Sequence, residues 1–248
     1  FKMKKVIFSV LVLGVVACMD MSNVQPEQNI NYPAAYIVNG ESSTLSVVNL
    51  NTNEVATTIQ LTDGSSISTH GAGHTATPGF LAYPHHIYIN AAKSQIAVAA
   101  PGVDLSAGHA GGTHAGTGKI AVLDAMKGTN VKIFDVPMSN HNAVFSPDGK
   151  EIWTSQTDGK VLVYDATTYA LKNTVTVGNG SAEVTFSFDG TVAFVANGED
   201  NSVSAISPSN KTILATIAVG KNPVGAWVGA DNRMYVDNED GQTVSIID

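Results

Sequence analysis

The hexapeptide Phe145-Ser-Pro-Asp-Gly-Lys150 returns 41 residues later as Phe186-Ser-Phe-Asp-Gly-Thr191, and a weaker copy begins at Val228, after 42 more. A second motif recurs at the same step, as Val161-Leu-Val-Tyr-Asp165, Val203-Ser-Ala-Ile-Ser207 and Val244-Ser-Ile-Ile-Asp248. A fixed period near 41 residues indicates a fold built from successive copies of one supersecondary unit.

Each repeat contains four short segments rich in Val, Ile, Thr and aromatic residues, separated by turn-forming pairs such as Asp-Gly and Asn-Gly. In one repeat these segments are residues 142–146, 151–155, 160–165 and 171–177. Four antiparallel strands in about 40 residues are typical of a β-propeller blade. The sequence therefore predicts an all-β propeller, and Trp153 and Trp227 fall at strand positions where we expect them to pack between blades.

The strand count predicts five blades, of which the first and last show three strands and the middle three show four. The predicted strands of the two incomplete blades are residues 35–39, 44–50 and 54–61, and residues 224–229, 233–237 and 243–248. Because a closed ring needs complete blades, we expect a seven-bladed ring truncated at its C-terminus. A natural five-bladed or open ring is the alternative, but it leaves sheet edges unprotected.

The composition of the 248-residue chain restricts the classes of function. Thirteen basic and 21 acidic residues give a net charge of −8, which disfavours binding to nucleic acid. Cys18 is the single cysteine, so an internal disulfide, a CxxC site and a CxxCH haem motif are all excluded. No Gly-x-Ser-x-Gly elbow or phosphate loop occurs, and we predict no catalytic residue; an enzyme is left open but not favoured.

The N-terminus carries an export signal. Lys4 and Lys5 precede a twelve-residue apolar run, residues 6–17, that is too short to span a bilayer and leads directly to Cys18. This arrangement resembles the lipobox of bacterial lipoproteins, which are cut before a cysteine that then carries lipid. The resemblance implies a signal peptide at 1–17. The polar, turn-rich residues that follow predict a tether at 18–33, and the repeats place the propeller at 34–248. The lipobox resemblance also implies a cell-envelope protein anchored in a membrane through Cys18, on the periplasmic side or the cell surface.

The repeats also resemble a known propeller family. Tyr36-Ile-Val-Asn-Gly40 followed by Thr44-Leu-Ser-Val-Val48 is similar to the YVTN-type repeat, and closer copies begin at Phe194 and Tyr235. The resemblance implies a scaffold shared by surface-layer proteins, periplasmic proteins and the haem d1 domain of cytochrome-type nitrite reductases. Such a scaffold does not by itself define a function.

Seven histidines are the candidate metal ligands: His70, His74, His85, His86, His109, His114 and His141. Four of them fall in two insertions. Residues 63–84 lie between the fourth strand of the first blade and the first strand of the second, and residues 101–118 lie between the second and third strands of the second blade. In an up-and-down blade these two connections leave from the same face. His85, His86 and His141 come just before the innermost strands of the second and third blades, on that face and close to the central channel. We therefore expect all seven imidazoles on one side of the propeller.

Neutral imidazole suits Zn²⁺ or Cu²⁺. Asp63 and Asp104 are the only carboxylates near the insertions, which disfavours Ca²⁺ and Mg²⁺. The function predicted is a lipid-anchored binding protein that holds Zn or Cu on its His-rich face. One alternative is a redox or electron-transfer protein with haem or copper at the channel mouth. Another is a metal-free scaffold whose long-loop face contacts a protein partner.

Overall fold

The computed structural model describes residues 26–63, 79–105 and 116–248. The predicted signal peptide, Cys18, residues 18–25 of the predicted tether and His70, His74, His109 and His114 lie outside the described residues. Within the described ranges the chain forms eighteen β-strands, and these ranges contain no helix long and apolar enough to cross a membrane.

The strands form five antiparallel sheets, each built from strands that are consecutive in the chain. The first sheet contains β1 (Ala34–Asn39), β2 (Thr44–Asn49) and β3 (Glu54–Gln60). The second contains β4 (Ile87–Ile89), β5 (Gln95–Ala100), β6 (Gly118–Asp124) and β7 (Asn130–Val136). The third contains β8 (Val144–Phe145), β9 (Glu151–Gln156), β10 (Lys160–Asp165) and β11 (Leu171–Thr176).

The fourth sheet contains β12 (Ser181–Phe186), β13 (Ala193–Asn197), β14 (Ser202–Ser207) and β15 (Thr212–Ala218). The fifth contains β16 (Pro223–Val228), β17 (Met234–Asn238) and β18 (Thr243–Ile247). The predicted all-β fold of five blades is thus confirmed, with three strands in the first and last sheets and four in each of the others.

The repeated hexapeptide forms the turn between the first and second strands of a blade. In the third sheet, Ser146 Oγ and the Lys150 amide both donate hydrogen bonds to Asp148 Oδ1, at 2.6 and 3.1 Å. Gly149 closes the turn with a φ of +70°, a left-handed conformation that glycine adopts without strain. The Ser-x-Asp-Gly sequence recurs in the fourth blade, at Ser187-Phe-Asp-Gly190, because it forms the same turn there.

Consecutive sheets pack face to face, and the apolar core lies between them. Trp153 is fully buried between the third and fourth sheets, where its ring meets Phe186 edge-on with centroids 5.4 Å apart. At the centre, β4 packs against β8, and β12 packs against β16. The first strands of successive blades are thereby brought together around the propeller axis, where side chains from different blades can meet.

The prediction for the second tryptophan is wrong, because Trp227 is 50% exposed. Ala226, its neighbour in β16, is buried against the fourth sheet. Adjacent residues of a strand point to opposite faces, so Trp227 lies on the face turned away from that sheet.

Candidate metal centre

Three of the seven predicted ligands, His85, His86 and His141, meet at the centre of the propeller; we call them the His triad. Each offers a ring nitrogen, and these three atoms all lie within 4.8 Å of one another. The ring centroids are 4.4 Å apart for His85 and His86, and 4.8 Å apart for each of the two pairs with His141. Two neighbouring blades thus supply three imidazoles to one small space.

The backbone just before β4 positions the first two imidazoles. The His85 amide donates to the Ala99 carbonyl at 2.9 Å, and the Ala99 amide donates to the His86 carbonyl at 3.1 Å. These bonds tie the pair to the end of β5, although neither residue is itself in a strand. Because neighbouring residues of a regular strand point to opposite faces, the irregular backbone is what lets both rings share one site.

The described ends of the two insertions lie beside this site. The Gly102 amide donates to the Ala82 carbonyl at 3.2 Å, which joins one insertion to the other. Ser139 Oγ donates to the Pro101 carbonyl at 2.9 Å and so ties them to the segment that carries His141. The four histidines farther out in the insertions lie outside the described residues, and their part in a metal site stays a prediction.

A fourth group at the site, Glu183 in β12, was missed by the sequence analysis. Its side chain is 1% exposed, and its Oε1 lies 3.0 Å from Nε2 of His86 and 3.8 Å from Nδ1 of His141. Its Oε2 atom is buried and has no hydrogen-bond partner within the described part of the chain. Asp63 and Asp104 are the only carboxylates near the insertions in sequence, but the fold brings a further one, Glu183, to the histidines from the fourth blade.

The repeat itself contains the signal that would have found Glu183. Counting back three residues from the aromatic or aliphatic residue that ends each first strand gives His86 before Ile89 and Glu183 before Phe186. The same position is Asn142 in the third blade, 41 residues before Glu183. Equivalent positions of a propeller lie at the same height around its axis, so a polar residue there faces the shared centre.

Asn142 fixes the distance between the third and fourth blades. Its Nδ2 donates to the Val184 carbonyl at 2.9 Å, and its Oδ1 accepts from the Val184 amide at 3.1 Å. This pair of bonds holds Glu183, the preceding residue, against the segment that carries His141. The contact between carboxylate and imidazole is thus supported by backbone bonds and does not depend on two flexible side chains alone.

Tyr88 closes the site on the side of β4. Its ring stacks on His86 with centroids 6.4 Å apart. Burial, helped by the negative charge of Glu183, raises the pKa of Tyr88 to about 12 against the opposing effect of a hydrogen bond with Asn142. The phenol therefore stays neutral at physiological pH, and His86 and Glu183 remain the groups at this point that can bind a cation.

Five antiparallel sheets packed in chain order around converging first strands define a β-propeller. A protein with the same fold is Kuenenia stuttgartiensis hydrazine synthase, at a TM-score of 0.64 and 13% identity over 86% of this chain and 68% of that one. At that identity the likeness shows the fold alone. No protein-family model matches the sequence, and no curated protein matches it.

Proposed function

We propose that this protein is a binding protein of the cell envelope that holds one transition-metal ion, Zn²⁺ or Cu²⁺, at the His triad. The observation that carries the proposal is the convergence of three ring nitrogens within 4.8 Å. Bonds of about 2.0–2.1 Å to one zinc ion place ligand nitrogens roughly 3.3 Å apart. Small side-chain rotations would therefore bring the three imidazoles from their present spacing to binding distance.

The burial of the triad suits a site that an ion can enter. The side chain of His141 is 6% exposed, whereas that of His86 is 26% exposed and faces solvent on one side. A metal site needs both an enclosed ligand set and a path by which the ion arrives. His141 supplies the enclosed part of the site, and His86 lies on its open side.

Metal analysis of protein purified without a polyhistidine tag tests the proposal. We expect one Zn²⁺ or Cu²⁺ ion per chain in the wild type and none in the triple variant His85→Ala, His86→Ala, His141→Ala. His109→Ala is the control outside the triad and should keep the ion. Wild-type protein that takes up neither metal, and whose melting temperature does not rise when Zn²⁺ is added, would refute the proposal.

We also propose that the chain is exported and anchored through lipid on Cys18, and that its blades are YVTN-type repeats. The apolar run that leads into Cys18 supports the lipid anchor, and the similar segments Tyr36-Ile-Val-Asn39, Phe194-Val-Ala-Asn197 and Tyr235-Val-Asp-Asn238 support the repeat type. Mass spectrometry of the N-terminal peptide from membranes should find a diacylglycerol thioether on that cysteine. In Cys18→Ala the protein should leave the membrane fraction, and an unchanged distribution would contradict the lipid anchor.

A further inference from the structure

We infer that Glu183 is the fourth ligand of this metal, so that the site is a centre of three imidazoles and one carboxylate. The inference rests on the proposed function and names a ligand that the His triad lacks. Glu183 lies on β12, at the centre of the propeller, and its side chain is 1% exposed. Placing an ionised carboxylate away from water is strongly unfavourable unless a cation or hydrogen-bond donors compensate it.

The distances to Glu183 match those between two ligands of one ion. With metal–ligand bonds of about 2.0–2.2 Å, neighbouring atoms of a tetrahedral set lie roughly 3.3–3.6 Å apart. Oε1 of Glu183 lies 3.0 Å from Nε2 of His86 and 3.8 Å from Nδ1 of His141. These two distances lie on either side of the ideal value, so the carboxylate is already spaced from both rings as a second ligand of the same ion would be.

The second oxygen of the same carboxylate is the independent observation. Oε2 is buried and has no hydrogen-bond partner in the described ranges. A Cβ atom on Gly225, the equivalent residue of the fifth blade, would lie 2.8 Å from this oxygen. The Trp227 ring lies 2.5 Å from the same Cβ position. The lack of a side chain at Gly225 is thus what lets Oε2 and this ring occupy that space together.

A carboxylate ligand predicts which ions the site selects. Three neutral imidazoles leave the full charge of a divalent ion uncompensated, whereas Glu183 removes one unit of that charge. Hard oxygen ligands favour divalent ions, while Cu⁺ prefers soft sulfur ligands. The centre should therefore bind Zn²⁺ and Cu²⁺ much more tightly than Cu⁺, and the preference should depend on the carboxylate.

A hydrogen bond from a ligating His86 to Glu183 is the competing role, because imidazole ligands commonly donate their other ring N–H to a carboxylate. The two roles differ in their effect on the bound metal ion. As a ligand, Glu183 sets the coordination geometry and the absorption spectrum of a bound ion. As a hydrogen-bond partner, it adjusts affinity and leaves the set of ligating atoms unchanged.

The test compares wild type, Glu183→Gln and Glu183→Asp by Co²⁺ absorption and by Zn²⁺ competition against a chelator. If Glu183 is a ligand, Glu183→Gln shifts the visible Co²⁺ bands and lowers Zn²⁺ affinity by more than about 100-fold, the upper range for loss of a hydrogen-bond partner of a ligand. Cu⁺ affinity should change by less than about threefold, since that ion gains little from a hard oxygen. Glu183→Asp keeps the charge and should recover part of the affinity. The melting temperature of each metal-free variant reports whether it folds.

The control is Glu151→Gln, which removes another partly buried carboxylate but lies away from the triad; it should bind Zn²⁺ as the wild type does. Unchanged Co²⁺ bands in Glu183→Gln, with an affinity loss below about 100-fold, would overturn the inference while the His triad stands. If the wild type binds no metal at all, the proposed function itself fails. If Glu183→Gln does not fold, Glu183→Ala, which removes both carboxylate oxygens, takes its place, and unchanged Co²⁺ bands in that variant overturn the inference.

Discussion

Replacing Glu151 should destabilise the propeller in a strongly pH-dependent way, because this carboxylate joins the third blade to the fourth. Its Oε2 accepts from Nε1 of Trp153 at 3.0 Å and lies 2.8 Å from Nζ of Lys211, which belongs to the fourth blade. Its Oε1 accepts from Nζ of Lys172 at 3.2 Å. Lys211 also lies over the Trp153 ring, 5.1 Å from its centroid.

The expected loss in the free energy of unfolding follows from how exposed each partner of Glu151 is. Glu151 and Lys211 are both 13% exposed, so their bond falls in the range of about 1.5–3 kcal/mol for hydrogen bonds to charged groups. Lys172 is 41% exposed, and its pair should add less than about 1 kcal/mol. Glu151→Gln keeps an acceptor for Trp153, so we expect the free energy of unfolding to fall by about 2 kcal/mol at pH 7. For a chain of this size that lowers Tm by roughly 4–8 °C.

Burial alone would raise the pKa of the Glu151 carboxyl, but hydrogen bonds from Lys211, Trp153 and Lys172 outweigh it and hold the pKa below its usual range. A carboxyl whose pKa is lower in the folded than in the unfolded state stabilises the protein fully above the unfolded value, about 4.3. That contribution is lost as the pH falls through the folded pKa. The wild type and Glu151→Gln should thus converge in stability in acid.

Thermal unfolding of both proteins at a series of pH values from 7 down to 3 measures this convergence. Lys211→Met should reproduce most of the loss at pH 7, whereas Lys172→Met should reproduce little of it. A Glu151→Gln protein as stable as the wild type at pH 7 would contradict the reasoning, as would a difference that stays constant down to pH 3.

Three further perturbations test the packing and the site. Trp153→Ala should cost about 3–5 kcal/mol in urea unfolding because the side chain is fully buried, whereas the half-exposed Trp227→Ala should cost less than about 1 kcal/mol. Gly225→Ala puts a Cβ 2.5 Å from the Trp227 ring and 2.8 Å from Oε2 of Glu183, so Zn²⁺ titration should show weaker binding. The control is Gly149→Ala, which is strained by its φ of +70° but lies away from the site, and it should bind Zn²⁺ as the wild type does. Zn²⁺ at a hundred times its Kd should stabilise the wild type by about 2.7 kcal/mol, a Tm rise of roughly 5–10 °C that is absent without the His triad.

The repeat predicted the strands well because turn chemistry sets their ends. Asp148-Gly149 and Asp189-Gly190 form the tight turns that follow the first strands of the third and fourth blades, and the apolar alternation on both sides then fixes the sheet. What the period does not show is which face of a strand is covered. Trp153 and Trp227 both fall at strand positions in the sequence, yet only Trp153 has a packed sheet on its side.

The sequence predicted only part of the candidate site, because it shows which residues are neighbours along the chain and not which are neighbours in space. His85, His86 and His141 were placed near the channel because they come directly before first strands, and that inference uses local sequence alone. Glu183 was missed because the search for carboxylates stayed close to the histidines in sequence. In a propeller the relevant neighbours lie one period away, so a residue 42 positions after His141 is nearer to it than most of the intervening chain.

The arrangement of the four groups gives a physical reason for their number. In the repeat alignment His85 and His141 occupy one level of the first strands, and His86 and Glu183 occupy the next level. With Glu183 as the proposed fourth ligand, three adjacent blades would supply two donors at one level and two at the next, which is the number of ligands that a tetrahedral ion binds. The third blade adds Asn142 at the second level, where its two bonds to Val184 keep the blades in register and leave the fourth ligand position to Glu183.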